Sequence, residues 1–144
     1  MDPNAEPSIF YVADVDDPFV PYPKQGLMLN VKEDRERIDA FLDKLLAMYH
    51  IDSRKNLPIQ TCSGAAMYAC KNLLGQDGGK VVVFSTTICS KGAGMLKSRD
   101  KVNLYNTDEE KSLFLHTTEH AFYRELGHSA VKSRVTFDLY IGVP

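Results

Sequence analysis

The chain has 144 residues, and its 17 Lys and Arg against 19 Asp and Glu give a formal net charge of −2. This length suits one domain with its own hydrophobic core, and this charge gives no reason to expect a nucleic-acid-binding surface. The apolar runs fall far short of the roughly 18 residues of a membrane-spanning helix, and the start MDPNAEPS lacks the apolar stretch of a secretory signal. We therefore expect a cytosolic protein with a flexible N-terminus, residues 1–8, and a single domain, residues 9–144.

The first part of the chain predicts a strand and then a helix. Ile9–Ala13 (IFYVA) is a continuous apolar run that stops at acidic residues and Pro18, which is typical of a strand buried on both faces. Asn30 is a predicted N-cap, and Glu33 three residues later completes an approximate capping box. Apolar residues then recur at helical spacing as far as Tyr49, so a helix is predicted there.

A second helix and a second strand follow. The helix is predicted over Ser63–Leu74, because Gly75 ends the pattern, and Lys80–Ser85 (KVVVFS) is the next apolar strand. The predicted buried stripe of this helix is Ala66, Ala69, Cys70, Leu73 and Leu74. Two helices between two such strands indicate a right-handed crossover in a parallel sheet.

The last part of the chain predicts a long loop, a third helix and a third strand. The segment from Cys89 to Lys111 has no periodicity, so we predict a loop. The third helix is predicted to start near Thr117 or Thr118, either of which can cap it. Val135–Ile141 alternates apolar and polar residues as a strand does. Strands alternating with helices place the chain in the α/β class.

Three cysteines without C-x-x-C spacing indicate reduced thiols rather than a disulfide framework or a zinc knuckle. Cys70 lies on the predicted buried stripe of the second helix, so we expect it to resist a thiol reagent. Cys89 falls in the predicted loop, and we expect it to react readily.

The stretch HTTEH, His116 to His120, matches the H-x-x-E-H pattern of inverzincin metalloproteases. That chemistry needs both imidazoles on one helix face, together with a third ligand further along the chain. A helix starting at Thr117 or Thr118 leaves His116 outside it, and few candidate ligands follow. We predict that HTTEH is metal-free.

Asp14 and Asp16 offer an enzymatic alternative, because haloacid-dehalogenase phosphatases use such a pair as nucleophile and general acid after a strand. Ser85, Thr86 and Lys97 could supply the remaining groups. The acidic pair that would hold magnesium after a later strand is missing from the pattern. The competing interpretation is that these aspartates form a solvated turn.

The segment KGAGMLK contains Gly-x-Gly but fits neither phosphate-binding glycine pattern. Lys97 and Arg99, together with Lys91 and Lys101, make this part of the chain locally basic. Lys97, Arg99 and Asp100 are therefore candidate partner-binding residues, and an ordinary solvated loop is the alternative.

Three stretches carry a resemblance to a known family: DVDDPFVPYPKQGLMLNVKEDRERIDAFLDKL, GGKVVVFSTTICSKGAGMLKSRDKVNLYNTDEEKSLF and FYRELGHSAVKSRVTFDLYI. Together they resemble the trunk domain of the cargo-adaptor subunit of the COPII vesicle coat, from about Ile9 to Ile141. Ala93 stands where the family commonly has Pro. The resemblance implies part of a von Willebrand factor type A-like (Rossmann-like) α/β sandwich, with a mainly parallel sheet and flanking helices.

The resemblance also implies a function. The parent protein would be a non-enzymatic adaptor that binds a GTPase-activating coat subunit and selects cargo at endoplasmic reticulum exit sites, as a peripheral membrane protein. The family's structural zinc lies in a separate zinc finger, so no cofactor or metal is expected in this chain.

The resemblance also implies that the chain corresponds to about half of the family's trunk domain, without the domain's first strand. Val81 to Phe84 would then lie at a sheet edge with unpaired backbone groups. Ile9–Ala13 could fill that edge, but we expect pairing with a second copy of the chain instead.

Overall fold

The computed structural model describes residues 9–21, 23–48, 60–75, 77–97, 99, 101–115 and 120–142. The chain forms two compact units, one of residues 1–12 and 20–59, the other of residues 13–19 and 60–144. In chain order the described elements are α1 (Lys24–Leu27), α2 (Arg35–Met48), α3 (Ser63–Leu74), β1 (Gly79–Ser85), a 3₁₀ turn (Val102–Leu104), α4 (Asp108–Leu115), α5 (Ala121–Lys132) and β2 (Val135–Ile141).

The first unit contains α1 and α2. Before α2, the Asn30 side chain accepts a hydrogen bond from the Lys32 N–H at 3.0 Å, and the Asp34 carboxylate accepts one from the Asn30 N–H at 2.9 Å. The predicted helix is confirmed, but it begins at Arg35, so the predicted N-cap at Asn30 is wrong. Asp34 directly precedes the helix, and its carbonyl accepts a hydrogen bond from the Ile38 N–H at 3.0 Å. Tyr49, the last residue of the predicted spacing, lies outside the described residues. No residue of α2 is buried.

The second unit is built on a parallel pair of strands. The register runs from Gly79 opposite Val135 to Ser85 opposite Ile141. One cluster of the buried core consists of Val81, Val135 and Ala130 of α5, with Leu74, Val83 and Phe137 packed around it. The helices α3 and α5 thus supply the side chains that cover one face of the sheet.

The opposite face of the sheet is exposed. Phe84 stacks on Tyr140 with ring centroids 5.1 Å apart, yet the Phe84 side chain is 78% exposed. Beside them, the Lys80 ammonium lies 2.7 Å from the Asp138 carboxylate. Large apolar groups on this face are therefore accessible to solvent.

Most of the predicted elements of the second unit are confirmed. The structure reproduces the predicted bounds of Ser63–Leu74 and Val135–Ile141, and β1 starts one residue before Lys80. Residues 9–14, in contrast, lie in no helix or strand, so the predicted strand Ile9–Ala13 is wrong. An apolar run becomes a strand only where a neighbouring strand accepts its backbone hydrogen bonds, and the sheet among the described residues has two strands, β1 and β2.

Two helix starts differ from prediction. Helix α4 begins at Asp108, inside the predicted loop, and continues beyond it to Leu115. The sequence contains a capping box for this helix, Thr107-x-x-Glu110. Thr107 accepts a hydrogen bond from the Glu110 N–H at 3.2 Å, and the Glu110 carboxylate accepts one from the Asn106 N–H at 2.8 Å. Helix α5 begins at Ala121 with His120 as N-cap, later than the predicted start at Thr117 or Thr118.

Candidate partner-binding loop

Residues 89–97, here called the anchored loop, follow β1 and are tied to the segment before α3. The N–H groups of Ser90 and Lys91 both donate to the Thr61 carbonyl, at 2.9 and 3.0 Å. The Thr61 N–H donates in return to the Ser90 hydroxyl at 2.9 Å. These three bonds fix the start of the loop although Ser90 and Lys91 are exposed.

The glycines of the anchored loop allow close packing. Gly92 and Gly94 both have φ of 76°, a conformation that favours glycine. A Cβ at Gly92 would lie 2.5 Å from the Val15 carbonyl oxygen, and one at Gly94 would lie 2.6 Å from the Phe122 ring. The Gly-x-Gly pattern therefore lets the loop approach the 13–19 turn and α5.

Cys89 is buried, at 2% exposure, so the prediction that it is accessible is wrong. Its sulfur accepts a hydrogen bond from the Gly64 N–H at 3.4 Å. Nearby, the Tyr123 hydroxyl donates to the Gly94 carbonyl at 2.8 Å. Burial, and then Cys89, raise the pKa of Tyr123 to about 12. Cys89 thus lies where α3, α5 and the loop meet, an arrangement that sequence spacing does not reveal.

Cys70 was predicted to be buried and is instead exposed. The packed residues of α3 are Gly64, Ala65 and Met67, whereas Ala66 and Cys70 face an open groove. The prediction failed because small residues at the start of the helix approach the backbone of the anchored loop and thereby decide which face is buried. Neighbouring groups of the chain still shield part of Cys70 from water, and this desolvation raises the pKa of its thiol.

The three candidate partner-binding residues differ in their surroundings. Lys97 is exposed at the end of the anchored loop. The Arg99 guanidinium donates to the Leu113 carbonyl near the end of α4 at 3.0 Å, so it helps to satisfy a helix terminus. Asp100 lies outside the described residues. Lys91 and Lys101 are also exposed, so this part of the surface carries positive charge.

Two side chains of the phosphatase alternative, those of Asp14 and Ser85, form hydrogen bonds with backbone groups close to them in the chain. The Asp14 carboxylate accepts hydrogen bonds from the N–H groups of Asp16 and Asp17 at 3.2 and 3.0 Å, which is an Asx-type turn. The Ser85 hydroxyl donates to the Thr87 carbonyl at 2.7 Å. This geometry favours the solvated-turn interpretation of the aspartates.

Comparison with known proteins identifies the family. The family model described as the Sec23/Sec24 trunk domain matches residues 2–143. The chain belongs to the Sec23/Sec24 trunk domain family. It is 34% identical over 140 residues to the protein transport protein SEC24 of Pyricularia oryzae and 34% identical over 137 residues to protein transport protein SEC24 A of Arabidopsis thaliana. These alignments cover 97% and 94% of this chain, but 14% and 12% of those proteins.

A solved member of the Sec23/Sec24 family confirms the fold. The crystal structure of the human COPII-coat protein Sec24c matches 90% of this chain and 17% of that chain, with a TM-score of 0.74 and 31% identity. The predicted α/β class and the predicted family are thereby confirmed. The chain spans about a seventh of the length of the relatives that it matches.

In this trunk-family chain, the HTTEH stretch is described only at its last residue. His120 precedes α5, and its ring lies edge-on to Tyr123 with centroids 5.6 Å apart. His116 to Glu119 lie outside the described residues. Among the described residues, no group of three or more His, Cys, Asp or Glu could hold a metal ion. A metal-free HTTEH stays a prediction.

Among the residues that the structure describes, no helix is long and apolar enough to cross a membrane.

Proposed function

We propose that this chain is a non-enzymatic interaction module of a COPII coat adaptor. Its parent protein binds a GTPase-activating coat subunit and selects cargo for transport from the endoplasmic reticulum to the Golgi, at the cytoplasmic side of exit sites. The observation that carries this proposal is the family match over residues 2–143, together with the structural match to human Sec24c.

The basic surface around Lys97 is the proposed contact with the coat subunit. Hydrogen bonds with Thr61, Val15 and Tyr123 hold the anchored loop in place. A partner would therefore bind a preformed surface, and binding would cost little conformational entropy of the loop. Lys97 and Lys101 supply exposed positive charge beside it. Arg99 would act by positioning, since its guanidinium already bonds the end of α4.

Binding of this chain to a purified GTPase-activating coat subunit, measured by titration calorimetry, tests the proposal. Replacing Lys97 by Glu reverses an exposed charge, and we expect the dissociation constant to rise at least about tenfold. Lys132→Glu, an exposed change at the end of α5, is the matched control and should leave binding unaltered. Absence of binding by the unmodified chain, or equal weakening by both variants, would contradict the proposal.

The enzymatic alternative has its own assay. If the chain were a phosphatase, it would hydrolyse a generic phosphoester in the presence of magnesium, and Asp14→Asn would abolish that activity. We expect no turnover, because the Asp14 carboxylate is held by the N–H groups of its own turn. Turnover that Asp14→Asn removes would overturn the adaptor assignment.

A further inference from the structure

One edge of β1 has backbone groups that face away from β2. The Gly79 N–H donates to the Arg134 carbonyl at 3.0 Å, and the Ser85 carbonyl accepts from the Gly142 N–H at 2.9 Å. Successive residues of a strand in a parallel ladder point their N–H and C=O groups to opposite sides. Lys80, Val82 and Phe84 therefore direct these groups to the other edge, where the described sheet has no further strand.

A groove of about 520 Å³ runs along this edge, between β1 and α3. Ala66, Met67 and Cys70 line its helical side, and Val81–Ser85 line its strand side. No charged residue lines it, and the ammonium of Lys80 is paired with Asp138 on the exposed sheet face. This groove suits an uncharged, extended strand as its ligand. Such a strand would also form hydrogen bonds with the N–H and C=O groups that Lys80, Val82 and Phe84 direct to this edge.

The β1 strand of a second copy does not fit this groove. In an antiparallel pair of identical strands, the twofold axis is perpendicular to the sheet, so both copies of α3 would lie on the same face. Adjacent strands are about 4.8 Å apart, whereas packed helices need about 8 to 10 Å between their axes. Because α3 borders the groove, the entering strand must be one that carries no helix on that face.

Ile9–Ala13 is such a segment. Its five residues match the five of Val81–Ser85 in number, and all five are uncharged and apolar. It lies in no helix or strand, and Tyr11 is 90% exposed. We propose that Ile9–Ala13 of a second copy enters the groove and pairs with the backbone of Lys80, Val82 and Phe84. Two copies that exchange this segment form a closed dimer, in which each groove is filled by the partner chain.

Sedimentation velocity over a range of micromolar concentrations tests the dimer. The unmodified chain should pass from monomer to dimer as concentration rises. Val82→Pro removes an N–H that faces the groove and no bond to β2, so we expect the dissociation constant to rise at least about tenfold. Val82→Thr keeps both the N–H and the β-branched shape, and it should dimerise as the unmodified chain does.

Tyr11→Pro provides an independent test in the entering segment, where no helix or strand of the chain is disturbed. This variant should also be monomeric. An equimolar mixture with Val82→Pro should form a heterodimer, because one chain retains an intact groove and the other an intact segment. Monomers at every concentration, dimers that withstand both prolines, or loss with Val82→Pro but not with Tyr11→Pro would each overturn the proposal.

Discussion

Tyr123 is a single residue whose ionisation links stability to pH. Burial, and secondarily Cys89, raise its pKa from 10.0 to about 12 in the folded chain. The folded state therefore retains a proton that the unfolded state loses between these values. The contribution of Tyr123 to stability is complete below pH 10 and falls as the pH rises towards 12.

We predict that Tyr123→Phe makes the free energy of unfolding less dependent on pH between 10 and 12. The variant also loses the bond to the Gly94 carbonyl, which should cost about 1 kcal/mol at neutral pH. Urea unfolding at a series of alkaline pH values measures both effects. Tyr140→Phe, at an exposed residue, is the control, and an equal flattening by that variant would contradict the role of Tyr123.

The three cysteines should differ in reactivity according to their positions. An accessible thiolate is the nucleophile that attacks a thiol reagent, so Cys62 and Cys70 should react in the native chain and Cys89 only after unfolding. The raised pKa of Cys70 lowers its thiolate fraction, and Cys62 should therefore be the faster of the two. Counting released chromophore over time tests this order. Cys89→Ser should release the same two equivalents at the same rates as the unmodified native chain. A third equivalent released from the unmodified chain before unfolding would contradict the structure.

At the scale of elements, two helical glycines provide a matched pair. A Cβ at Gly64 in α3 would lie 2.3 Å from the Ala93 carbonyl oxygen, whereas nothing lies within 4 Å of one at Gly127 in α5. We expect Gly64→Ala to destabilise the chain by about 1 to 3 kcal/mol through overpacking. Gly127→Ala should instead stabilise it by about 0.5 to 1 kcal/mol, because alanine is the better helix former. Thermal unfolding distinguishes them, and stabilisation by both changes would show that α3 does not approach the anchored loop.

The sequence predicts elements well where the signals are local. Apolar spacing and a following glycine located Ser63–Leu74, and alternation located Val135–Ile141. The capping box Thr107-x-x-Glu110 is also a local signal, so the start of α4 is predictable from the sequence even though the apolar spacing of this stretch predicts a loop. The buried face of α3 is different, because contacts with the anchored loop, distant in the chain, decide it.

The same distinction holds for the candidate site. Exposed charge at Lys97 is predictable from composition, since lysines are rarely buried. The bond from Arg99 to the Leu113 carbonyl joins two segments fourteen residues apart and depends on a helix that was not predicted. The wrong strand at Ile9–Ala13 has a similar cause, because pairing partners are a property of the whole sheet.

At the scale of the whole molecule, burial is distributed unevenly between the two compact units. Every residue of the described hydrophobic core, Ala65, Met67, Val81, Cys89, Leu126, Ala130 and Val135, belongs to the second unit. In the first unit, neither α1 nor α2 buries a residue, and Leu46 of α2 is 74% exposed. Because buried apolar contacts determine how often a segment opens, the two units should differ in local stability.

Hydrogen exchange at a concentration that keeps the chain monomeric measures this difference. We predict that amides of α2 exchange at least roughly 100-fold faster than those of α5 and β2, because few apolar contacts resist the opening of α2. Within β1, Val81 and Val83 donate towards β2 and should be protected, whereas Val82 donates towards the groove and should exchange rapidly. The alternation within one strand is an internal control for intrinsic exchange rates. Equal protection of Val82 and its two neighbours in the monomer would mean that a segment of the same chain already fills the groove.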